Sequence, residues 1–201
     1  MRNIQMICIA CLMLLTSCAS RYKRINPETV VYNSISTDNG ITMEYKYDVL
    51  TKKYKKKEGK KKLRVVAIKI TNRGETEKVI GQDIRFVYQS GAELSLLDHK
   101  IIFKSLKQHP ATHLLYMLFT PLNIYVSDGY NGSTSTIPVG LAIGPGLTLG
   151  NVLTSSGANR KFRKELEAKS LIGKIIKPGE TVSGIIGVAA EGYDPIQIKV
   201  L

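Results

Sequence analysis

The stretch Ile41 to Val49 alternates without interruption. Ile41, Met43, Tyr45, Tyr47 and Val49 fall on one side, and Thr42, Glu44, Lys46 and Asp48 on the other. A period of two places all the apolar side chains on one face of an extended chain, so the stretch reads as a half-buried strand. Such a strand needs lateral partners and a layer to cover it. The sequence supplies candidates before and after. Glu28 to Ser36 carries Val30, Val31, Tyr32 and Ile35. Leu63 to Thr71 has Val66, Ile68 and Ile70 on one face and Leu63, Val65 and Ala67 on the other. Val79 to Tyr88 places Ile80, Ile84, Phe86 and Tyr88 on a period of two. Near the end, Val182, Gly184, Ile186 and Val188 alternate, and so do Ile196, Ile198 and Val200. Turn signals separate these runs at Asp38-Asn39-Gly40, Asn72-Arg73-Gly74-Glu75, Gln89-Ser90-Gly91 and Lys177-Pro178-Gly179-Glu180. Short strands joined by short turns predict an antiparallel sandwich.

The strand pattern breaks between about 98 and 172. Asp98 suits the cap of a helix running through Gln108. Pro110 suits a second helix start, ahead of the dense apolar run Leu114 to Phe119. Asp128 to Ser133 is a polar loop. Ile137 to Leu153 is a second apolar stretch, and Asn159 to Leu171 reads as an amphipathic helix with Phe162 and Leu166 on its apolar side. Gly140 with Gly144, and Gly146 with Gly150, form two G-x-x-x-G pairs, a spacing that lets helices approach closely. Pro145 between them predicts a kink or two short pieces. The two apolar stretches are expected to pack on each other inside the domain. A hairpin dipping into a bilayer and a self-association surface are the other readings.

Between the two adjacent strands at 41–49 and 63–71 lie eight lysines in eleven residues: Lys52, Lys53, Lys55, Lys56, Lys57, Lys60, Lys61 and Lys62. Adjacent strands predict a β-hairpin, its tip turning at Glu58-Gly59 and extended by mutual repulsion of its charges. The run then serves either as a solvated tip or as a contact for an anionic surface.

The beginning of the chain sets the compartment. Met1-Arg2-Asn3 brings one positive charge. Ile4 to Leu15 is an apolar run of about a dozen residues, the length of a secretory h-region and too short for a membrane span. Thr16 and Ser17 are small and precede Cys18. The quartet Leu15-Thr16-Ser17-Cys18 resembles the lipobox of bacterial lipoproteins. That resemblance implies cleavage between Ser17 and Cys18, diacylglycerol on the Cys18 thiol and an acylated new N-terminus. It implies a signal peptide at 1–17 and a lipidated tether at 18–27, ahead of a domain at 28–201. Several acyl chains hold a protein far more firmly than one. Cys8 and Cys11 form a C-x-x-C, but both leave with the signal, so no internal disulfide is expected. In the lipoprotein family the non-acidic Ala19 goes with the outer membrane, and the tether lacks the acidic run of surface display, which implies the periplasmic face. The formal net charge of +13 favours polyanions. Behind a secretory signal those are anionic lipid headgroups and lipopolysaccharide rather than nucleic acid, for which no reader motif appears.

The segments Val65 to Asn72, the Gly91 turn and Lys177-Pro178-Gly179-Glu180-Thr181-Val182-Ser183-Gly184 resemble the small immunoglobulin-like domains of bacterial lipoproteins. The expected fold is therefore mainly β: an immunoglobulin-like antiparallel β-sandwich with a helical, glycine-rich insertion. That group is mostly non-catalytic, and catalytic signals are poor here. Gly144 to Gly150 spaces its glycines G-x-G-x-x-x-G, one residue too long for a dinucleotide loop. His109 and His113 stand four apart, but Pro110 interrupts the helix they would share. No nucleophile elbow or carboxylate pair is present. The expectation is a non-catalytic, lipid-anchored envelope protein with a binding or assembly domain, needing no cofactor or metal. Its partners would be the membrane, anionic lipid, lipopolysaccharide or another envelope protein. A membrane-perturbing or pore-associated protein using residues 114–153 and an enzyme acting on envelope polymer are the alternatives.

Overall fold

The structure, a computed structural model, describes residues 18–127 and 134–201. The expected signal segment with Ser17, and the expected loop at 128–133, lie outside the described residues. Helix and strand occur in near-equal shares, and all named strand pairs are antiparallel, one sheet having five strands. The helical share exceeds the mainly β expectation because the lysine run is helical in addition to the expected helical, glycine-rich insertion. The chain divides into two compact units: Tyr22–Lys107 with Arg160–Leu201, and Met1–Arg21 with Gln108–Asn159.

In the sheet-rich unit, β1 (Ser34–Asp38) and β2 (Ile41–Lys46) form a tight hairpin. Asn39 and Gly40 both take positive φ, 42° and 79°, the requirement of a two-residue type I′ turn. Ile41, Met43 and Tyr45 are buried and their neighbours are not, as the alternation predicts. The strand stops at Lys46, short of the expected Val49, and Asp48 is left-handed at φ 64°. Between 28 and 36 only the last residues join a strand. β3 (Leu63–Asn72) is central, pairing with β2 on one side and with β10 (Thr181–Ala189) on the other. The late strand therefore closes a sheet begun before the insertion. β6 (Leu96–Leu97) adds to the far edge of β10, giving the order β1-β2-β3-β10-β6.

The expected strand 79–88 is two pieces. β4 (Lys78–Val79) pairs with β9 (Ile175–Ile176), whereas β5 (Ile84–Tyr88) pairs with β11 (Ile196–Val200). Gly81, at φ 88°, makes the break. Ile84, Phe86, Ile196 and Ile198 pack with Ile41, Met43, Val66, Ile68, Ile70 and Val182 in one core. β3 is buried on both faces, which accounts for its nearly continuous apolar sequence.

The sheet's second face meets helices. α1 (Lys52–Lys61) packs on β3, and α2 (His99–Leu106) packs on α1 and β10, α2 capped by the Asp98 side chain accepting from the Lys100 N–H. Gly187, on β10, admits α2: a β-carbon there would overlap Ile102. Tyr54, Phe103, Phe162 and Tyr22 form an aromatic cluster with ring centroids 4.8–6.2 Å apart. The segment expected as a leash is thus stitched down from Tyr22 onward. Ile25 is buried; its N–H donates to Glu165 and its carbonyl accepts from Lys169.

The lysine run corrects the hairpin expectation. It is helix α1, with Tyr54 and Glu58, four residues apart, facing inward. Lysine is a good helix former, and Lys60 and Lys61 sit at the negative end of the helix dipole. Lys62, left-handed at φ 51°, ends it.

Candidate membrane-facing surface

The second unit is built around α3 (Val139–Lys169), which continues through Pro145 as one helix rather than two pieces. Up to Asn159 its buried positions are Gly140, Gly144, Thr148, Asn151, Ser155, Ala158 and Asn159. These lie on one face of an α-helix, and that face holds glycines, one alanine and polar residues. The exposed positions are Leu141, Ile143, Leu147, Leu149 and Leu153. The usual pattern of a helix in water is inverted here. From Arg160 onward the order is normal: Phe162 and Leu166 are buried, while Arg160, Lys161, Arg163, Lys164 and Glu167 are exposed.

The inward face is a ladder of hydrogen bonds. The Asn159 side chain accepts from the Gln108 N–H and donates to the Gln108 carbonyl, both at 2.8 Å. The Gln108 side chain does the same to Ser20, at 3.0 and 2.6 Å. Asn151 accepts from the Ala19 N–H at 2.6 Å and donates to the Leu147 carbonyl. Ser155 donates to the Asn151 carbonyl, and Thr148 to that of His113. Side-chain amides thereby replace strand partners for two backbone segments, and the amides and hydroxyls of this ladder are themselves satisfied. Residues 19 and 20, directly after Cys18, are fixed to this ladder, and Cys18 itself is exposed.

The glycines divide. A β-carbon on Gly140 would overlap the carbonyls of Phe119 and Thr120, and one on Gly144 would overlap the Thr120 side chain. Close approach is therefore real for that pair, against the Phe119–Leu122 turn. Gly146 and Gly150 face open space, so the expectation of close packing is corrected there.

The run Pro110–Phe119 is a 3₁₀ helix. Its three-residue period turns His113 and Tyr116 inward, their rings stacked at 6.0 Å, and leaves Leu114, Leu115, Met117 and Leu118 exposed. β7 (Ile124–Ser127) and β8 (Thr134–Ile137) make a two-stranded ribbon. Its register places Ile124, Val126 and Ile137 on one face and Tyr125 and Thr136 on the other; Ile124, Tyr125, Val126 and Ile137 are all exposed. A lone ribbon is marginal in water. Three elements of one unit thus present aliphatic side chains outward, far more than scattered surface residues require.

The lysines are distributed around α1. Lys55 pairs with Asp48 and Lys62 with Glu191, while Lys57 donates to the Lys107 carbonyl. Burial and the neighbouring charges of Lys61, Lys53 and Lys107 lower the Lys57 pKa. Lys52, Lys56, Lys60 and Lys61 are exposed. Among the described residues no group of three or more His, Cys, Asp or Glu side chains is gathered as a metal would need. Among them, too, no helix is long and apolar enough to cross a membrane. Compared with known protein families, with curated proteins and with solved structures, the chain matches none.

The sequence reading missed Gln108, Thr148, Asn151, Ser155 and Asn159. The four-and-three spacing of small and polar residues through the apolar stretch was the available signal. It is visible only once the apolar residues are allowed to face outward.

Proposed function

We propose that this protein is a non-catalytic, lipid-anchored envelope protein whose Gln108–Asn159 unit beds its apolar surface in the bilayer interface beside the acyl chains of Cys18. The observation that carries this reading is the inverted pattern of α3, polar residues inward and leucines outward, in the unit that also holds Ala19 and Ser20. An acylated Cys18 would emerge from the same unit as the exposed leucines. The exposed part, Leu141 to Leu153, is about 20 Å of helix at 1.5 Å per residue, short of the ~30 Å hydrocarbon core. Four-residue strands are shorter still. The unit therefore enters one leaflet rather than spanning the membrane. The sheet-rich unit acts as an immunoglobulin-like scaffold for binding or assembly, a reading supported by the β5–β11 pair packed across the five-stranded sheet. The lipoprotein resemblance at Ala19 supports an outer membrane, and the tether's lack of an acidic run supports its periplasmic face.

The test uses the chain lacking residues 1–17 with Cys18→Ala, so that no acyl chain contributes. It should float with lipid vesicles or require detergent. Leu115, Leu118, Leu141 and Leu149 are 60–73% exposed; at about 1.5–3 kcal/mol per fully buried leucine, each adds roughly 1–2 kcal/mol. Changing all four to Gln should weaken vesicle binding on the order of 1000-fold. A Cys18→Ala chain that is a freely soluble monomer overturns the proposal. A discrete detergent-free oligomer also overturns it, by assigning the surface to other copies of the chain.

A further inference from the structure

The sheet-rich unit contains a cleft of about 240 Å³ walled by Arg24, Lys161, Lys164, Glu165 and Lys169. Lys161, Glu165 and Lys169 are spaced four apart and Lys164 lies on the adjoining position, so one stretch of α3 presents three ammonium groups to the same space. Arg24 arrives from the other wall. Its position is fixed by its neighbour Ile25, which is buried and doubly hydrogen-bonded to Glu165 and Lys169. The single carboxylate in the cleft is engaged by the Ile25 N–H and lies close to Lys169 and Arg24. Among the described residues Arg24, Lys161 and Lys164 form no salt bridge. The cleft therefore holds four cations against one anion, in a protein whose exposed acids are few.

We propose that this cleft binds the phosphate of a phosphate ester, with Arg24, Lys161, Lys164 and Lys169 as its ligands. A guanidinium fork facing several ammonium groups matches the several oxygens of a phosphate better than it matches one carboxylate. The walls include no aromatic ring, so there is no platform for stacking a base. The ester is a simple one, on glycerol or a sugar. It can be borne by a lipid headgroup or be soluble. Arg24 lies six residues after Cys18, within about 20 Å of extended chain, so a headgroup is within reach. The cleft does not depend on the apolar surface of the other unit.

The experiment compares Lys161→Gln/Lys164→Gln with Lys56→Gln/Lys60→Gln, which removes equal charge from helix α1. The mature chain in nonionic detergent is titrated with glycerol 3-phosphate, followed by calorimetry and by NMR shifts. The same chain in nanodiscs is scored for binding to vesicles containing phosphatidic acid, against phosphatidylcholine vesicles. Removing two cations near an anionic surface should weaken phosphatidic acid binding about 30-fold, and the α1 pair should lose markedly less. Loss of glycerol 3-phosphate binding in the cleft variant alone supports recognition of the phosphate itself. A cleft-specific loss seen only with vesicles supports a lipid-borne phosphate. Equal losses in both variants, or no loss in either arm, overturn the proposal. Circular dichroism of both variants checks that they fold.

Discussion

Replacing Glu58 by Gln should stabilise this protein at neutral pH, and the size of the effect follows from where the carboxyl sits. Glu58 is 2% exposed on the inner face of α1, and its Oε1 accepts from the Val65 N–H at 2.7 Å. Pairing of β2 with β3 ends at Lys46 and Ala67, so Val65 has no strand partner on that edge and the carboxyl takes its place. Burial pushes the Glu58 carboxyl up from 4.5 to about 7; the Val65 N–H, Arg64 and Lys55 pull it down, and Asp48 pushes it further up. Between those two values the unfolded chain has released the proton and the folded chain keeps it. Stability is therefore fully present below about 4.5, falls as pH rises through the window, and levels off above about 7. At 1.36 kcal/mol per pH unit the whole fall is roughly 3 kcal/mol. Glutamine keeps the acceptor for Val65 and carries no charge. E58Q should then lose most of the slope and exceed the parent by about 1–3 kcal/mol at pH 8, while matching it near pH 5. E58A strands the Val65 N–H and should cost about 1–3 kcal/mol near pH 5. Urea unfolding at the two pH values, with hydrogen exchange of the Val65 amide as a local probe, measures both. An E58Q variant that keeps the parent slope, or is weaker than the parent at pH 8, refutes the assignment.

Other outcomes follow from the packing. Gly144→Val forces a side chain against Thr120 and should lower stability by about 1–3 kcal/mol or more, whereas Gly150→Ala meets open space and should raise it by about 0.5–1 kcal/mol; thermal melts of the pair separate the two glycines. Asn72 is fully buried, donating to the Thr76 and Ile176 carbonyls and accepting from the Gly74 N–H. Asn72→Ala leaves buried partners unmatched and should cost about 1–3 kcal/mol in urea unfolding. Asn159→Leu removes the two bonds to Gln108, and protease cleavage near residues 108–113 should accelerate relative to cleavage at the β1–β2 turn.

How far the fold could be read depended on which solvent each face met. β2 and β11 were legible because their apolar residues alternate and only that face is buried, and β3 and β10 as apolar runs buried on both faces; the Asn39-Gly40 turn was legible because few residues accept two successive positive φ values. The split at Gly81 was not, since Val79 to Tyr88 keeps its period of two across a break that reassigns its halves to different sheets. α1 was missed because one aromatic in eleven residues gives no helical stripe: its second inward group is Glu58, a residue that reads as surface. The cleft at Arg24 was illegible for a different reason. Its walls are 137 residues apart from Arg24 to Lys161, and only the bonds of Ile25 to Glu165 and Lys169 bring them together.

α3 explains why the glycine-rich stretch resisted assignment. Helical periodicity is ordinarily sought in apolar residues that turn inward. On that basis Ile137 to Leu153 has no coherent face, while Asn159 to Leu171 has a clear one. Both lie largely in a single helix, Val139–Lys169. What changes near Asn159 is the chemistry of the two sides, not the geometry. Before it the inner side is glycine, hydroxyl and amide, and the outer side is leucine and isoleucine; after it the inner side is Phe162 and Leu166 and the outer side is Arg, Lys and Glu. A helix in one solvent has no reason to reverse itself. Small residues inside serve close backbone approach, as Gly140 and Gly144 do, and amides inside serve backbone groups that lack a strand partner, as Asn151, Asn159 and Gln108 do. Leucines outside serve only if something apolar meets them. The reversal thus marks, near Asn159, where the proposed bilayer contact would end and the aqueous surface begin.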